Sequence, residues 1–173
     1  MKITYYVAAS LDGFIARANG SVDWLEQINQ SGDDYGYADY YNSVDALVMG
    51  RVTYEQVLGS GDWPYPDKPT FILTSHSLAT DHNDVKMVAT INQLIDELNQ
   101  SEYNHIWLVG GGKTASTFLQ AGILDELIVS YIPVALGSGI PLFSDPATET
   151  VMEIESSNDY PDGVFQITYR LKF

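Results

Sequence analysis

The 173-residue sequence predicts an α/β fold, in which one mixed, mostly parallel sheet of about eight strands is flanked by about four helices. Short apolar runs rich in β-forming residues recur along the first two thirds of the chain, and segments of helical periodicity lie between them. The last third contains strand-like segments without helices between them, which predicts antiparallel pairing at the C-terminal end of the sheet. Neither a repeat nor a linker interrupts this pattern, so we expect a single domain over residues 1–173.

Four continuous apolar runs predict the parallel strands. A strand buried on both faces carries apolar residues without alternation, as happens where helices cover both sides of a parallel sheet. The runs are ITYYVAA at 3–9, DALVMG at 45–50, TFILTS at 70–75 and HIWLVG at 105–110.

Three segments between and after these strands predict helices. RVTYEQVLG at 51–59 and KTASTFLQAG at 113–122 each end in a glycine, the residue that most often follows the last helical turn. TINQLIDELNQ at 90–100 begins with Thr90 and Gln93 at the spacing of a capping box.

The C-terminal strands are LDELIVSYIPVAL at 124–136, TVMEIES at 150–156 and VFQITYRLKF at 164–173. Glycine and proline predict irregular loops at 11–24, 59–69 and 136–148. The first two loops would open at the carboxyl ends of strands, where open α/β sheets bind their ligands.

The formal net charge of −15 excludes nucleic acid and anionic membrane surfaces as expected partners, because the eight cationic residues are scattered along the chain. Two of them nevertheless follow glycines at predicted strand ends: Arg51 after Gly50, and Lys113 after Gly112. In so acidic a chain, that placement favours a small phosphorylated ligand. The chain contains no cysteine, so we expect neither disulfides nor a metal centre, and a cytoplasmic location.

The segment LVGGGKTAS at 108–116 places three consecutive glycines between a predicted strand and a predicted helix. Glycine lets a bulky ligand approach the backbone, and the unpaired N–H groups of a helix N-terminus favour phosphate. Gly110, Gly112 and Ala115 match the G-x-G-x-x-[GA] pattern, while a Walker A motif is excluded because it needs a glycine where Trp107 stands. The alternative is a tight turn that only packs the helix against the strand.

Two further strand ends carry groups suited to phosphate. Arg51 and Thr53 follow the second predicted strand, and Thr74, Ser75 and His76 follow the third. Separately, each has a plain structural alternative: a solvated arginine at a helix start, and a turn held by hydroxyl-to-backbone bonds. Three successive strand ends of this type favour one shared phosphate-binding site.

The segments AASLDGFIA, VMGRVTYEQVLG, ILTSHSL and LVGGGKTASTFLQAGILDELIVSYIPVALGSGIPLF resemble the dihydrofolate reductase superfamily, most closely the reductase domain of riboflavin biosynthesis. The resemblance runs nearly end to end and implies a dihydrofolate reductase-like fold that binds NADPH. It implies that Arg51 meets the 2′-phosphate and that the backbone at Ala8 and Ile15 holds the carboxamide. The cofactor-binding residues implied are Ala8, Ile15, Gly50, Arg51, Val52, Thr53, Thr74, Ser75, His76, Val109, Gly110, Gly111, Gly112, Lys113 and Thr114.

For substrate and proton transfer, the resemblance points to Asp12 and Asp34. Asp12 precedes Gly13 and matches an acid near the substrate's ribose portion, although turn formation is the commoner role of Asp-Gly. Counting back from Gly50 places the buried acid of folate-reducing relatives at Asp34, whereas counting forward from Trp24 gives Asn29, and Asp34 also fits a solvated helix face. Trp24, in the same loop as Asp12, is a further candidate for contact with the substrate. An aromatic wall for a planar substrate is expected from Tyr54, Trp63 and Tyr131, with Tyr5 and Tyr35 as further candidates, and the alternative for most of them is an ordinary core or rim position.

These features predict an NADPH-dependent reductase of a small heterocycle, either a ribosylaminopyrimidine as in riboflavin biosynthesis or a pterin. The alternative is an NADPH-binding module or sensor that does not turn over substrate. The resemblance also implies a homodimer paired through the late strands. The zinc deaminase domain of the bifunctional riboflavin enzyme needs paired cysteines, which this chain lacks.

Overall fold

A computed structural model describes residues 1–146 and 148–172, and it contains an eight-stranded sheet beside a two-stranded ribbon. The strands of the sheet are β1 (Lys2–Ser10), β3 (Ala46–Gly50), β4 (Thr70–Leu73), β5 (Val85–Val88), β6 (His105–Gly110), β7 (Glu126–Ile132), β9 (Met152–Asp159) and β10 (Phe165–Leu171). The ribbon pairs β2 (Phe14–Ala16) with β8 (Ile140–Pro141). The α-helices are α1 (Asp23–Ile28), α2 (Tyr37–Ser43), α3 (Arg51–Gly59), α4 (Ile91–Gln100) and α5 (Gly112–Gln120), and a 3-10 turn covers Pro161–Gly163.

The sheet order is β5-β4-β3-β6-β1-β7-β10-β9, and the first six of these strands are parallel. β10 runs antiparallel to β7, and β9 antiparallel to β10. The predicted α/β class, the mostly parallel sheet and the antiparallel C-terminal end are therefore confirmed. Two positions inside predicted segments, 147 in the third loop and 173 at the end of the last strand, lie outside the described residues.

Some elements were not predicted. The edge strand β5 has only four residues, of which Lys86 is exposed, so it lacks the apolar run of the other parallel strands. The ribbon strands are three and two residues long and lie in segments predicted as loops. α1 and α2, of six and seven residues, are too short to show helical periodicity clearly.

Helices cover both faces of the sheet, which explains the continuous apolar runs. Alternate residues of β3 enter different cores: Val48 packs in the core covered by α4 and α5, and Leu47 and Met49 pack in the core beneath α2 and α3. All five residues of β3 are buried. Within the described residues, no helix combines the length and the apolarity that crossing a bilayer requires.

The predicted start of α4 and the predicted end of α5 each carry a capping motif. The Thr90 hydroxyl accepts the Gln93 N–H at 3.2 Å, and the Gln93 side chain accepts the Ala89 N–H at 3.0 Å. At the end of α5, Gly122 has a positive φ of 66°, and the N–H groups of Gly122 and Ile123 donate to Leu119 and Phe118. That pair of bonds is a Schellman motif.

We predict that Thr90→Ala lowers the free energy of unfolding by about 1 kcal/mol, because the α4 N-terminus loses its side-chain acceptor. Urea denaturation followed by circular dichroism measures the change. Gln100→Ala at the exposed end of α4 is the control, and we expect it to stay within about 0.5 kcal/mol of wild type. Equal stability of the Thr90 variant and wild type would show that the cap is not needed.

Candidate functional site

A gap between β1 and β6 opens the main cavity of the protein. The two strands pair only from Lys2 opposite His105 to Tyr5 opposite Leu108, whereas β1 continues along β7 as far as Ser10. Past Tyr5, one edge of β1 is thus turned toward the gap, and Tyr6, Val7 and Ala8 line a cavity of about 770 Å³ there. The cavity lies at the carboxyl ends of the parallel strands, where α/β sheets bind ligands.

Two helix N-termini lie side by side on this cavity. A Cβ placed on Gly50, before α3, would stand 2.3 Å from the Thr114 hydroxyl oxygen on α5. A Cβ on Gly111, before α5, would stand 3.4 Å from the Thr53 hydroxyl oxygen on α3. Neither helix has a side-chain cap at its N-terminus. The N–H groups of both first turns therefore remain available to an anion.

Each of the three consecutive glycines has its own physical reason. Gly110 has a φ of 143°, a conformation that residues with a side chain rarely adopt. A Cβ on Gly112 would lie 2.1 Å from the Pro141 carbonyl oxygen, so this glycine lets the loop around β8 pack against α5. A Cβ on Gly111 would make only ordinary contacts, with cavity-lining Thr53 and Ile15. Gly111 is thus the one whose missing side chain leaves room for a ligand.

Two cations border the cavity. The Arg51 Nη1 donates to both carboxylate oxygens of Glu55, at 2.8 and 2.9 Å, one helical turn further along α3. Lys113, exposed in the first turn of α5, forms no ion pair with any described residue. At the end of β4, Ser75 and His76 are exposed, and the Thr74 hydroxyl accepts the His76 N–H at 3.1 Å.

The structure brings every residue predicted to bind a cofactor to this one cavity. They are Ala8, Ile15, Gly50, Arg51, Val52, Thr53, Thr74, Ser75, His76, Val109, Gly110, Gly111, Gly112, Lys113 and Thr114. The strand ends of β1, β3, β4 and β6 thus converge as expected. Sequence reasoning missed other lining residues. Among them, Tyr6, Val7 and Trp107 lie in apolar runs that predicted strand positions only, and Tyr65 lies in the segment predicted as an irregular loop at 59–69.

A second cavity of about 300 Å³ adjoins the first. Five residues line both: Tyr6, Val7, Ala8, Leu25 and Trp107. The second cavity is further lined by Ile28, Asn29, Asp34, Tyr35, Tyr37, Ser130 and Ile132. A ligand in the large cavity and a second ligand in the small one would therefore meet beside Tyr6 and Trp107.

Trp107 is fixed in place at this junction. Its indole N–H donates to the Tyr6 carbonyl at 3.0 Å, and only 5% of the residue is exposed. Five tyrosine rings surround it at centroid distances of 5.6 to 6.4 Å, and they belong to Tyr6, Tyr37, Tyr40, Tyr41 and Tyr65. Such packing gives the junction a rigid aromatic surface.

Asp34 is the carboxylate of the second cavity, and it also caps α2. Its two oxygens accept the N–H groups of Gly36 and Ala38, each at 3.0 Å. An ionised carboxylate has further acceptor capacity, so the oxygens remain able to bind a water or a substrate N–H. Of the two predicted proton-transfer acids, Asp34 alone lines a cavity.

Asp12 lies outside both cavities and ties two loops together. Its carboxylate accepts the Ser10 hydroxyl at 2.6 Å and the N–H groups of Leu136 and Gly137 at 3.0 and 2.7 Å. These hydrogen bonds, that of Ser10 first, lower the pKa of the Asp12 carboxyl from its usual value to about 2. The structure thus shows the Asp12 carboxylate joining these loops, whereas its predicted catalytic and substrate-binding role stays a prediction.

Four aromatic residues predicted to contact the substrate, Trp24, Tyr54, Trp63 and Tyr131, line neither cavity. Trp24 is 1% exposed and packs with Ile132 and Val164, while its neighbour Leu25 lines the cavities. Tyr131 lies on β7 between the lining residues Ser130 and Ile132, and successive strand residues point to opposite faces.

Tyr54 and Trp63 belong to the core beneath α3. The Tyr54 hydroxyl donates to Thr80 at 2.8 Å, and the Trp63 indole donates to the Tyr65 carbonyl at 3.0 Å. Of the two further candidates, Tyr35 lines the second cavity, whereas Tyr5 is fully buried in the main core. The aromatic residues that line the second cavity are Tyr6, Tyr35, Tyr37 and Trp107.

Residues 1–165 match the family described as the RibD C-terminal domain. The chain belongs to this family. It is 36% identical over 168 residues to the uncharacterized protein YwjB of Bacillus subtilis, with 94% of each chain covered. It is 28% identical over 164 residues to the riboflavin biosynthesis protein RibD of Corynebacterium ammoniagenes, which covers 86% of this chain and 48% of that protein.

Solved structures agree with the assignment to the RibD C-terminal domain family. A putative riboflavin biosynthesis protein from Shewanella sp. PV-4 superposes with a TM-score of 0.89 at 33% identity, and both chains are covered completely. A diaminohydroxyphosphoribosylaminopyrimidine deaminase/5-amino-6-(5-phosphoribosylamino)uracil reductase from Thermotoga maritima has a TM-score of 0.75 at 17% identity, over 99% of this chain and 56% of that one. The second likeness shows the fold alone. The predicted resemblance to the riboflavin reductase domain is confirmed.

We predict that Asp12→Asn destabilises the protein near neutral pH and less so in acid. Asparagine keeps one acceptor oxygen and turns an amide toward the second backbone N–H. Because the folded-state pKa of Asp12 lies at about 2, below the unfolded value, its stabilising effect is complete above the unfolded pKa and is lost as pH falls toward 2. Urea midpoints of variant and wild type should therefore differ at pH 6 and converge between about pH 4 and pH 2.

Asp62→Asn, at an exposed position after α3, is the control and should track wild type at every pH. A constant difference between the Asp12 variant and wild type down to pH 2 would contradict the assigned role of the ionised carboxylate.

Proposed function

We propose that this protein is an NADPH-dependent reductase of a small pyrimidine-type heterocycle. One observation supports this most: two uncapped helix N-termini, two cations and a glycine turn converge on one cavity that opens into a second, aromatic-lined one. The relationship to the RibD C-terminal domain family supports a reductase of the riboflavin type.

The donor set of the large cavity fits a doubly phosphorylated dinucleotide. The first-turn N–H groups of α5 and the Lys113 ammonium suit a pyrophosphate, and Gly111 leaves space beside them. Arg51, Ser75 and His76, from neighbouring strand ends, suit the additional 2′-phosphate that distinguishes NADPH from NADH. The volume of about 770 Å³ is typical of a site for a large small-molecule ligand.

Bound NADPH would supply a hydride. The free edge of β1 at Val7 and Ala8 would hold the reactive end of the cofactor at the junction, because both residues line both cavities. Trp107 and Tyr6 would position the flat face of the substrate and exclude water from it. The proton that accompanies reduction of a C=N or C=O group would come from a water held by Asp34.

Turnover separates a reductase from an NADPH-binding module or sensor. Loss of NADPH absorbance should occur when 5-amino-6-ribosylaminouracil is added, and dihydrofolate tests the pterin alternative. Whether the protein is a reductase or a binding module, its tryptophan fluorescence should fall when NADPH binds, because Trp107 borders the large cavity. Binding without NADPH consumption on either substrate would contradict the proposed reductase and favour the module.

We predict that Gly111→Val abolishes detectable NADPH binding while the protein stays folded. The added side chain contacts Thr53 and Ile15 at ordinary distances and fills space that the dinucleotide needs. Gly59→Val, at the exposed end of α3 with open space around it, is the control and should bind as wild type does. Fluorescence titration gives the Kd. Unchanged NADPH affinity of the Gly111→Val variant would show that Gly111 is not needed to make room for the dinucleotide.

We predict that Arg51→Ala weakens NADPH binding about tenfold or more and leaves NADH binding nearly unchanged, because a charge-assisted contact to the 2′-phosphate is lost. Arg170→Ala removes another surface arginine, one paired with Glu155 on the late strands, and should affect neither cofactor. An equal loss of affinity for NADPH and for NADH would show that Arg51 does not bind the 2′-phosphate.

We predict that Glu55→Gln tightens NADPH binding about two- to fivefold, because the Glu55 carboxylate holds the same guanidinium edge and repels a phosphate. The affinity for NADH should not change. Both are measured by the same titration, and weaker NADPH binding would show that Glu55 positions Arg51 for the phosphate instead of competing with it.

The expected homodimer and cytoplasmic location stay predictions. Exposed apolar side chains on and beside the edge strand β9, Val151 at 73% and Ile154 at 65%, support pairing through the late strands. Light scattering of the purified chain measures the oligomeric state.

A further inference from the structure

The two cavities differ in the sign of the charge around them. Arg51 and Lys113 border the large cavity, whereas Asp34 is the one charged residue among those described that line the second. This difference bears on which substrate the protein accepts, an inference that rests on the proposed reductase function.

The other cations of the chain are held elsewhere. Among the described residues, Lys2, Arg17, Lys86, Arg170 and Lys172 are paired with carboxylates, and none of them lines a cavity. Lys68 donates to the Val44 carbonyl and lies over the Tyr41 ring. All cationic side chains that could meet a phosphate in either cavity are therefore on the cofactor side.

The nearest helix N-terminus is not free for a phosphate either. Asp34 accepts the N–H groups of Gly36 and Ala38 at the start of α2, so an anion from the chain already occupies that position. The exposed lining residues Asn29, Asp34 and Tyr37 mark where the second cavity opens to solvent. A substituent that extends from a bound ring toward solvent would pass this carboxylate.

Two further carboxylates accept hydrogen bonds from Tyr35, which lines the second cavity. The Tyr35 N–H donates to Asp33 at 2.7 Å, and its hydroxyl donates to Asp162 at 3.0 Å. Burial first, and then the charges of Asp33 and Asp34, raise the pKa of the nearby Tyr160 phenol. The pKa of the Tyr6 phenol is also raised, by burial and in small part by Asp34. The opening is thus a region of negative potential.

We infer that the second cavity takes an uncharged or cationic heterocycle without a phosphate group. Asp34 in its lining, together with Asp33 and Asp162 hydrogen-bonded to the lining residue Tyr35, disfavours phosphorylated forms of the same heterocycle. In the Thermotoga maritima relative, the name of the reaction specifies a phosphoribosylamino substrate. This chain shares that fold but has cationic phosphate partners on the cofactor side only. Its substrate is the product of a dephosphorylation or a compound that was never phosphorylated.

The test compares 5-amino-6-ribosylaminouracil with its 5′-phosphate, using wild-type protein saturated with NADP⁺ and calorimetry to measure both Kd values. We expect the nucleoside form to bind about tenfold more tightly than the 5′-phosphate at low salt, because the phosphate dianion is repelled by at least one carboxylate, that of Asp34. The preference should shrink as the salt concentration rises, because salt screens this repulsion. Tighter binding of the phosphate would overturn the inference and leave the reductase proposal intact. Binding of neither compound would overturn the inference together with the pyrimidine substrate.

Asp34→Asn provides the variant test. Asparagine still caps α2 but carries no charge. The Kd of the 5′-phosphate divided by the Kd of the nucleoside form should therefore fall at least threefold, toward unity. Asp39→Asn makes the same change on the exposed side of α2, away from both cavities, and should keep the wild-type ratio. An unchanged ratio in the Asp34 variant would show that its charge does not select the substrate. Because a ratio of affinities is measured, loss of turnover in the variant does not affect the result.

Discussion

Hydrogen bonding between β1 and β6 ends at Tyr5 and Leu108, and both cavities exist because of this break in the pairing. On one side of this point the two strands form the centre of a doubly covered sheet. On the other, β1 follows β7 and β6 turns through its glycines into α5, so backbone and helix termini face a common space. Had the two strands stayed paired, Val7 and Ala8 would be bonded to β6, and no cavity would exist between them.

Charge divides this space into two parts with different chemistry. The chain carries a net charge of −15, yet two of its few cations stand at strand ends where helix N-termini add to their effect. Around the smaller cavity, carboxylates satisfy the local N–H groups and aromatic rings supply the wall. The groups suited to phosphate thus border the larger cavity, and Trp107 and Tyr6 line both cavities.

The sequence predicted the parts of the site that depend on backbone turns. Glycines and phosphate-binding groups directly after buried strands identify one edge of a parallel sheet, whatever the details of packing, and Arg51, Ser75 and Gly111 accordingly border one cavity. Which aromatic residues line the cavities could not be predicted from the sequence, because the direction of a side chain depends on the pleat: Tyr131 and Ser130 are neighbours in sequence but lie on opposite faces of the sheet. Asp12 bonds the backbone of residues more than 100 positions away, which no local pattern indicates. Asp34 caps a helix two to four residues further on, but the helix is too short for its periodicity to be recognised in the sequence.

A crystal structure of the protein with bound NADP⁺ would show whether the strand ends form one dinucleotide site. We expect the pyrophosphate against the N-terminus of α5 beside Gly111, the 2′-phosphate within hydrogen-bonding distance of Arg51, and the nicotinamide ring at the junction of Ala8 and Trp107. A dinucleotide bound at another surface, or bound here with its nicotinamide ring directed away from the second cavity, would contradict this expectation.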